Sequence, residues 1–332
     1  MKTRAGLWLI HPKPQDGELL SSWLIRIAAM TGRSLHGFCD DHWRGLNLWN
    51  RDLDHLAPEV VLETLAKRTG TPTNQVQATT LNAFEGTLVP RVVPNGSTAM
   101  VRPIGVWHRE RKTHGLQYCS HCLTEDQIPY FKTLWRLLPV STCTRHGVIL
   151  KSSCPRCDAP VAPHRGDFLI CHHCGSDLRG QKHEPANSNV LQFQHHLQGV
   201  LAGNPVCWPG FHGTYPIAFF ALINRLVLLL STGARRDRLL KILQARCDIE
   251  GITEFTSKTK DTKTLSPRSV HDVMIGITYL LRGWPWIFIA TFLDAKVYWS
   301  WAMKDLKPQN APYVFFQPTK AFLQIDPNAK DR

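Results

Sequence analysis

Residues 143–157 read CTRHGVILKSSCPRC, three cysteines and one histidine in fifteen positions. Each terminal donor there has a partner three positions on: Cys143 with His146, and Cys154 with Cys157. Working outward, the same spacing recurs on both sides, in Cys119/Cys122 and Cys171/Cys174. A two-residue spacer lets a tight turn aim two side chains at one point, which is half of a tetrahedral metal shell. Four such pairs within 56 residues make two complete shells. Taken in order, Cys119, Cys122, Cys143 and His146 form the first, and Cys154, Cys157, Cys171 and Cys174 the second. A cross-braced arrangement, first pair with third and second with fourth, satisfies the same spacing. Thiolate-rich shells closed by four protein donors suit two structural Zn2+ ions and leave no position for a reacting water. His121, His164, His172 and His173 read as bystanders, since each would leave a thiolate without a role. Cys39, Cys207 and Cys247 lack partners at ligand spacing and read as reduced, buried thiols.

The chain has 332 residues, 43% of them apolar and 20% charged, enough for two or three packed domains. No stretch reaches the ~18–20 uninterrupted apolar residues needed to cross a bilayer. The nearest, PIAFFALINRLVLLL at 216–230, carries Asn224 and Arg225 in its middle and reads as an amphipathic core helix. The opening MKTRAGLWLIHPKP is too short an apolar run, cut by prolines, for a signal peptide. The expected location is the cytoplasm, with no membrane partner, where thiols stay reduced and disulfides are a poor account of ten cysteines. Formal net charge is +13, and seven thiolates with two dications would leave roughly +10. A cytoplasmic chain this basic is expected to meet nucleic acid or a complex containing it. Residues 187–332 hold the largest excess, 17 basic against 10 acidic residues.

The predicted fold is mainly α in three parts. Residues 1–106 read as a helix-turn-helix-like helical domain. Asp16 is placed to cap a first helix, which carries Leu20, Trp23, Leu24, Ile27 and Ala28 on one face. Gly32 stops that helix and Ser34 caps a second, with Leu35 and Phe38 inward. A second helix pair runs through VLETLAKRTGTPTNQV, with Leu62, Leu65 and Ala66 apolar and Pro72-Thr73 opening its short second helix. Residues 107–180 form the tandem zinc-finger or zinc-ribbon module. Residues 190–332 read as a C-terminal helical domain in which Pro285 ends or kinks a helix.

The string YCSHCLTEDQIPYFKTLWRLLPVSTCTRHGVILKSSCPRC resembles the zinc region of the TniQ/TnsD family of transposition target-selection proteins. The shared features are Cys119 and Cys122, Tyr130 and Trp135, Cys143 with His146 and Gly147, Ile149 and Leu150, and Cys154-Pro155-Arg156-Cys157. The opening is similar too, in Pro12, Pro14, Glu18, Ser22, Trp23, Leu24 and Arg26. The segment LLRGWPWIFIATFLD is similar to the C-terminal helical region of longer members. The resemblance implies a non-enzymatic adaptor of a mobile element. Such proteins recruit the AAA+ ATPase TnsC to a chosen site, and the transposase follows indirectly. TnsD-type members read DNA directly; members from CRISPR-associated transposons dock on an RNA-guided effector complex, some as homodimers. TnsD proteins carry a long additional DNA-reading extension, so the adaptor branch is the expectation.

Arg235, Arg236, Arg238 and Lys241, with Lys258, Lys260, Lys263 and Arg268 nearby, are the candidates for neutralising phosphates, set against a solvated helix face. Trp23 and Trp135 sit at core-like spacing, which favours packing over an exposed anchor. A stand-alone zinc-containing DNA-binding regulator is the rival reading. Nuclease or transposase chemistry is disfavoured, because the acidic residues are scattered and no G-x-x-x-x-G-K-[ST] phosphate loop is present.

Overall fold

The computed structural model describes residues 6–93, 97–107, 110–165, 167–233, 235–247 and 261–324. The chain is mainly helical and divides into two compact units. The first comprises Met1–Glu85, Arg91–Val140 and Leu150–Glu184. It contains helices α1 (Leu20–Met30), α2 (Leu35–His42), α3 (Glu59–Thr69), α4 (Thr73–Gln77) and α5 (Ser120–Glu125). A minimal antiparallel pair, β1 (Val106–Trp107) with β2 (Glu110–Arg111), lies between α4 and α5.

Helix α1 is the centre of this unit, with every residue from Leu20 to Ala28 buried. The five apolar positions expected on its inner face are 0–1% exposed. Its start differs from expectation: Asp16 does not cap it, the N-cap is Leu19, and no side chain supplies a cap bond. Gly17 takes a positive φ of 65° there, and the acidic side chain turned inward is Glu18. The C-terminal stop and the next start follow the sequence. Gly32 has φ 71°, and the Ser34 hydroxyl accepts a bond from the Gly37 N–H at 3.2 Å. Phe38, Trp43, Trp49, Leu53, Val61, Leu62, Leu65 and Val76 close the core around α1.

Buried charges tie this helical core to the strip at 130–136. The Glu18 carboxylate accepts bonds from Arg26 Nε at 2.8 Å and Nη2 at 2.7 Å, from Ser22 Oγ at 3.0 Å and from the Gln15 N–H at 2.9 Å. Ser22 Oγ in turn accepts from the Phe131 N–H, and the Leu19 N–H donates to the Phe131 carbonyl. Trp23 is fully buried, with its indole N–H on the Pro12 carbonyl at 2.9 Å. A second cluster follows one turn away. Asp54 accepts from the N–H and hydroxyl of Ser21, and fully buried Arg136 reaches Asp54 at 3.2 Å and Asp52 at 2.5 Å. Burial opposes the Arg136 charge, but Asp52 and Asp54 outweigh it and raise its pKa.

The second unit comprises Gly86–Pro90, Ser141–Ile149 and Pro185–Arg332. The hairpin β3 (Thr142–Cys143) and β4 (Val148–Ile149), paired Thr142 to Ile149 and Cys143 to Val148, precedes seven α-helices among the described residues. These are α6 (Ser188–Leu201), α7 (Pro216–Ser231), α8 (Arg236–Cys247), α9 (Pro267–Arg282), α10 (Trp286–Asp294), α11 (Trp299–Ala302) and α12 (Tyr313–Leu323). Asn187 caps α6 and Ser266 caps α9, which has Pro267 in its first turn. Helices α7 and α9 pack together, with α6, α8, α10 and α12 against one or both. Gly276 of α9 permits this closeness, since a Cβ there would meet Leu243 at 3.1 Å and Leu230 at 3.5 Å. The segment expected as an amphipathic core helix is α7, and Pro285 separates α9 from α10 as expected. Among the described residues, no single helix is long and apolar enough to cross a membrane.

The Glu18–Arg26 pair makes a direct prediction. Glu18→Ala strands a buried guanidinium and should cost about 3–5 kcal/mol, whereas Glu18→Gln with Arg26→Met should cost much less. Denaturation midpoints, together with hydrogen-exchange protection of α1, read the difference.

Candidate metal centres

The donors gather in sequential order. Cys119, Cys122, Cys143 and His146 form one set, and Cys154, Cys157, Cys171 and Cys174 the other. Within each, the ligand atoms lie within 4.8 Å of one another, so the cross-braced alternative is not the one adopted. In the second set the Cys154 and Cys174 sulfurs are 3.6 Å apart, as are those of Cys157 and Cys171. A tetrahedral zinc shell with Zn–S near 2.3 Å has sulfur edges of about 3.8 Å, so the donors fit that ion without rearrangement. Cys143 Sγ and His146 Nδ1 are 3.4 Å apart, against about 3.6 Å for a tetrahedral S–N edge. Cys119, Cys122, Cys143, Cys154 and Cys171 are buried, while Cys157 and Cys174 are half-buried.

The local backbone explains how a two-residue spacer achieves this. In the second set both turns are built alike. The Cys154 N–H donates to Ala159 O and the Asp158 N–H to Cys154 O; the Cys171 N–H donates to Ser176 O and the Gly175 N–H to Cys171 O. The residue after the second ligand must then be left-handed: φ is 57° at Asp158 and 70° at Gly175. The turn at Cys143 obeys the same rule, with Gly147 at φ 63° and its N–H on Cys143 O at 2.8 Å. Glycine takes this conformation freely and aspartate tolerates it. Cys119 differs, because it is the N-cap of α5 and its carbonyl accepts the Leu123 N–H.

The thiols of the second set are shifted unequally, Cys154 and Cys157 upward and Cys171 downward. Burial acts to raise the Cys171 thiol. The N–H groups of Cys174 and His173 and bonds from the Cys154 and Cys157 thiols outweigh it and bring it down to about 7. Burial pushes the unpaired Cys39 and Cys247 thiols up to about 11. Cys39 is buried as expected, but Cys247 is half-buried and Cys207 exposed, because the neighbouring Val206 takes the inward position.

None of the four bystander histidines joins a donor set. His164 is buried and stacks on Trp49 at 5.1 Å and 4°, and His121 lies against His183 with ring centroids 4.6 Å apart. Reading by ligand spacing misses His183, whose Nε2 is 2.5 Å from the Ser120 hydroxyl beside Cys119. It lies too far along the chain for spacing to reveal. The basic candidates are unequal. Arg235 donates to Lys296 O, and Arg236 donates to Ser231 O and lies 3.7 Å from Asp237. Arg268 pairs with Asp272 at 3.2 Å, and Lys263 is half-buried. Arg238 and Lys241 are exposed on α8, while Lys258 and Lys260 lie outside the described residues. Trp23 and Trp135 are buried, as core packing requires.

The chain thus combines a helical opening motif tied by buried bonds to the 130–136 strip with two four-donor groups that could each hold a metal ion. Residues 9–150 match the model of the TniQ family, so that span carries a TniQ domain. The matched span takes in the Glu18–Arg26 motif and the first four donors, and ends before Cys154. No curated protein matches the chain.

Elemental analysis of the purified protein should find about two zinc equivalents, falling to about one in the Cys157→Ser/Cys174→Ser variant. Asp158→Gly should leave zinc retention unchanged or improved. Asp158→Val, forced left-handed, should cost about 1–2 kcal/mol and hasten zinc transfer to a chelator.

Proposed function

We propose that this chain is a non-catalytic target-selection adaptor of a DNA transposon. It links a target locator, either an RNA-guided effector complex or a DNA site, to the AAA+ regulator TnsC, and transposase follows. The observation that carries this reading is the TniQ match over 9–150, with its opening motif built as a docked body. Glu18, Ser22 and Arg26 are buried, so the motif serves architecture and leaves recognition to the surface it holds in shape.

Two structural Zn2+ ions complete the reading. Each would be held by four protein donors, and metal binding in such modules contributes on the order of 10 kcal/mol to folding. A closed shell has no open position at which to activate water, consistent with an adaptor that performs no reaction. The helix-turn-helix-like region (1–106), the tandem zinc module (107–180) and the C-terminal helical region (190–332) then present successive docking surfaces. Arg238 and Lys241 are the best placed of the basic candidates to meet phosphate, being exposed.

The zinc-loaded protein should retain the TnsC-type ATPase of its own element in a pull-down with ATP and DNA. The Cys154→Ser/Cys157→Ser variant should lose it. Failure to associate under any nucleotide condition defeats the proposal. Nanomolar, sequence-specific DNA binding by the lone chain would transfer the reading to a stand-alone DNA-binding regulator.

A further inference from the structure

The second unit contains a cavity of about 430 Å³, within the range of small-molecule sites. Leu228 and Leu229 of α7 give it an apolar side, and Arg225 lines it one turn earlier. Its aromatic wall is Trp301, pinned by Gly233: the glycine has φ 90°, and a Cβ there would meet the indole at 3.3 Å. Lys304 and Asp305, both exposed, complete the mouth.

Arg225 is the unusual member. It is 6% exposed, and its guanidinium is met by carbonyls and one ring: Ala302 O accepts from Nε at 3.1 Å and from Nη2 at 2.5 Å, Lys304 O accepts from Nη2 at 2.9 Å, and Cζ lies 6.0 Å from the Phe315 ring centroid. No carboxylate of a described residue lies at ion-pair distance from it. Carbonyls and a ring face leave a buried cation without a counter-charge in contact, which a bound anion would supply. Burial lowers the Arg225 pKa while Asp305 opposes the shift, in keeping with a charge left partly uncompensated.

We propose that this cavity binds a nucleotide unit, its base against Trp301 and Leu228–Leu229 and its phosphate on Arg225 and Lys304. Asp305 then accepts a bond from a ring amine or sugar hydroxyl. A flat apolar wall beside a cation is the combination that holds single-stranded bases. An acidic aromatic peptide offers similar groups, but the charge beyond the mouth favours a polyanion. Helix α8 begins at Arg236, directly after the Thr232–Gly233 wall, and presents exposed Arg238 and Lys241. Neither makes an ion pair with a described residue. The proposal stands apart from TnsC recruitment and would survive its failure.

The test uses the full zinc-loaded chain and fluorescence anisotropy of a labelled oligothymidylate of about ten nucleotides. Parallel arms use its duplex, adenosine monophosphate as competitor, and an acidic aromatic peptide. Saturable single-strand binding stronger than duplex binding is expected. Trp301→Ala should weaken it about tenfold or more. Lys304→Glu should weaken it and cut the log–log salt slope by about one. Displacement by the monophosphate identifies a free nucleotide as the occupant; resistance to it identifies a strand. Should Trp301→Ala fail to fold by circular dichroism, Lys304→Glu decides together with Trp301→Phe, which keeps a ring and should bind nearly as well as the parent. Equal binding by parent and Lys304→Glu chains, absence of saturable binding to strand and monophosphate alike, or binding of the peptide alone would overturn the proposal.

Discussion

The buried Glu18–Arg26 ion pair is the constraint on which the first unit depends. Both side chains leave water, a cost recovered only where every lone pair and N–H is used. The carboxylate here accepts four bonds, and the guanidinium also donates to Lys13 O at 2.9 Å. Meeting that demand fixes the lead-in at 12–18 against α1. Ser22 then turns to receive the Phe131 N–H, and Thr133 bonds back to Gly17. Helix and metal-module strip are therefore positioned by the same charges. Arg136 repeats the device at the far end of the strip, with Asp52 and Asp54 as its anions.

The metal-binding turns solve a different problem, that of aiming two soft donors with four residues of chain. Three of the four turns do so by one backbone rule, a bond from the fifth residue back to the first ligand's carbonyl and a left-handed fifth residue. The rule is blind to ligand chemistry, since it holds for Cys-x-x-His-Gly and Cys-x-x-Cys-Asp alike. In the second set the same turns point N–H groups at sulfur, and at Cys171 these help bring the thiol down. The Cys119 turn instead opens helix α5, with Cys119 as its N-cap residue.

How far the sequence announces this structure depends on how local the cause is. The choice between sequential and cross-braced grouping needed the fold, but spacing gave the eight donors because a knuckle is a property of five consecutive residues. Helical periodicity gave the inner face of α1, the Gly32 stop and the Ser34 cap for the same reason. What it could not give is long-range. Asp16 has the right chemistry for an N-cap, but the chain turns at Gly17 and sends Glu18 inward to meet Arg26, so the cap goes unmade. Ser22 stands out in the opening motif as a residue, yet its role requires Phe131, more than a hundred positions on. The engagement of Arg235 is equally hidden, because its acceptor, the Lys296 carbonyl, is brought near only by the folded unit.

The buried arginines separate architecture from function. Arg26 and Arg136 are each matched to carboxylates at hydrogen-bond distance, and a matched buried pair is a closed account with nothing left to attract a ligand. Arg225 occupies an equally costly position on α7, but its acceptors are carbonyl dipoles, which offset part of a desolvation penalty and neutralise none of the charge. Phe315 meets the guanidinium at 6.0 Å, so part of the charge is used within the fold. The remainder faces a cavity walled by indole and leucine, where an anion carrying a flat ring would complete it.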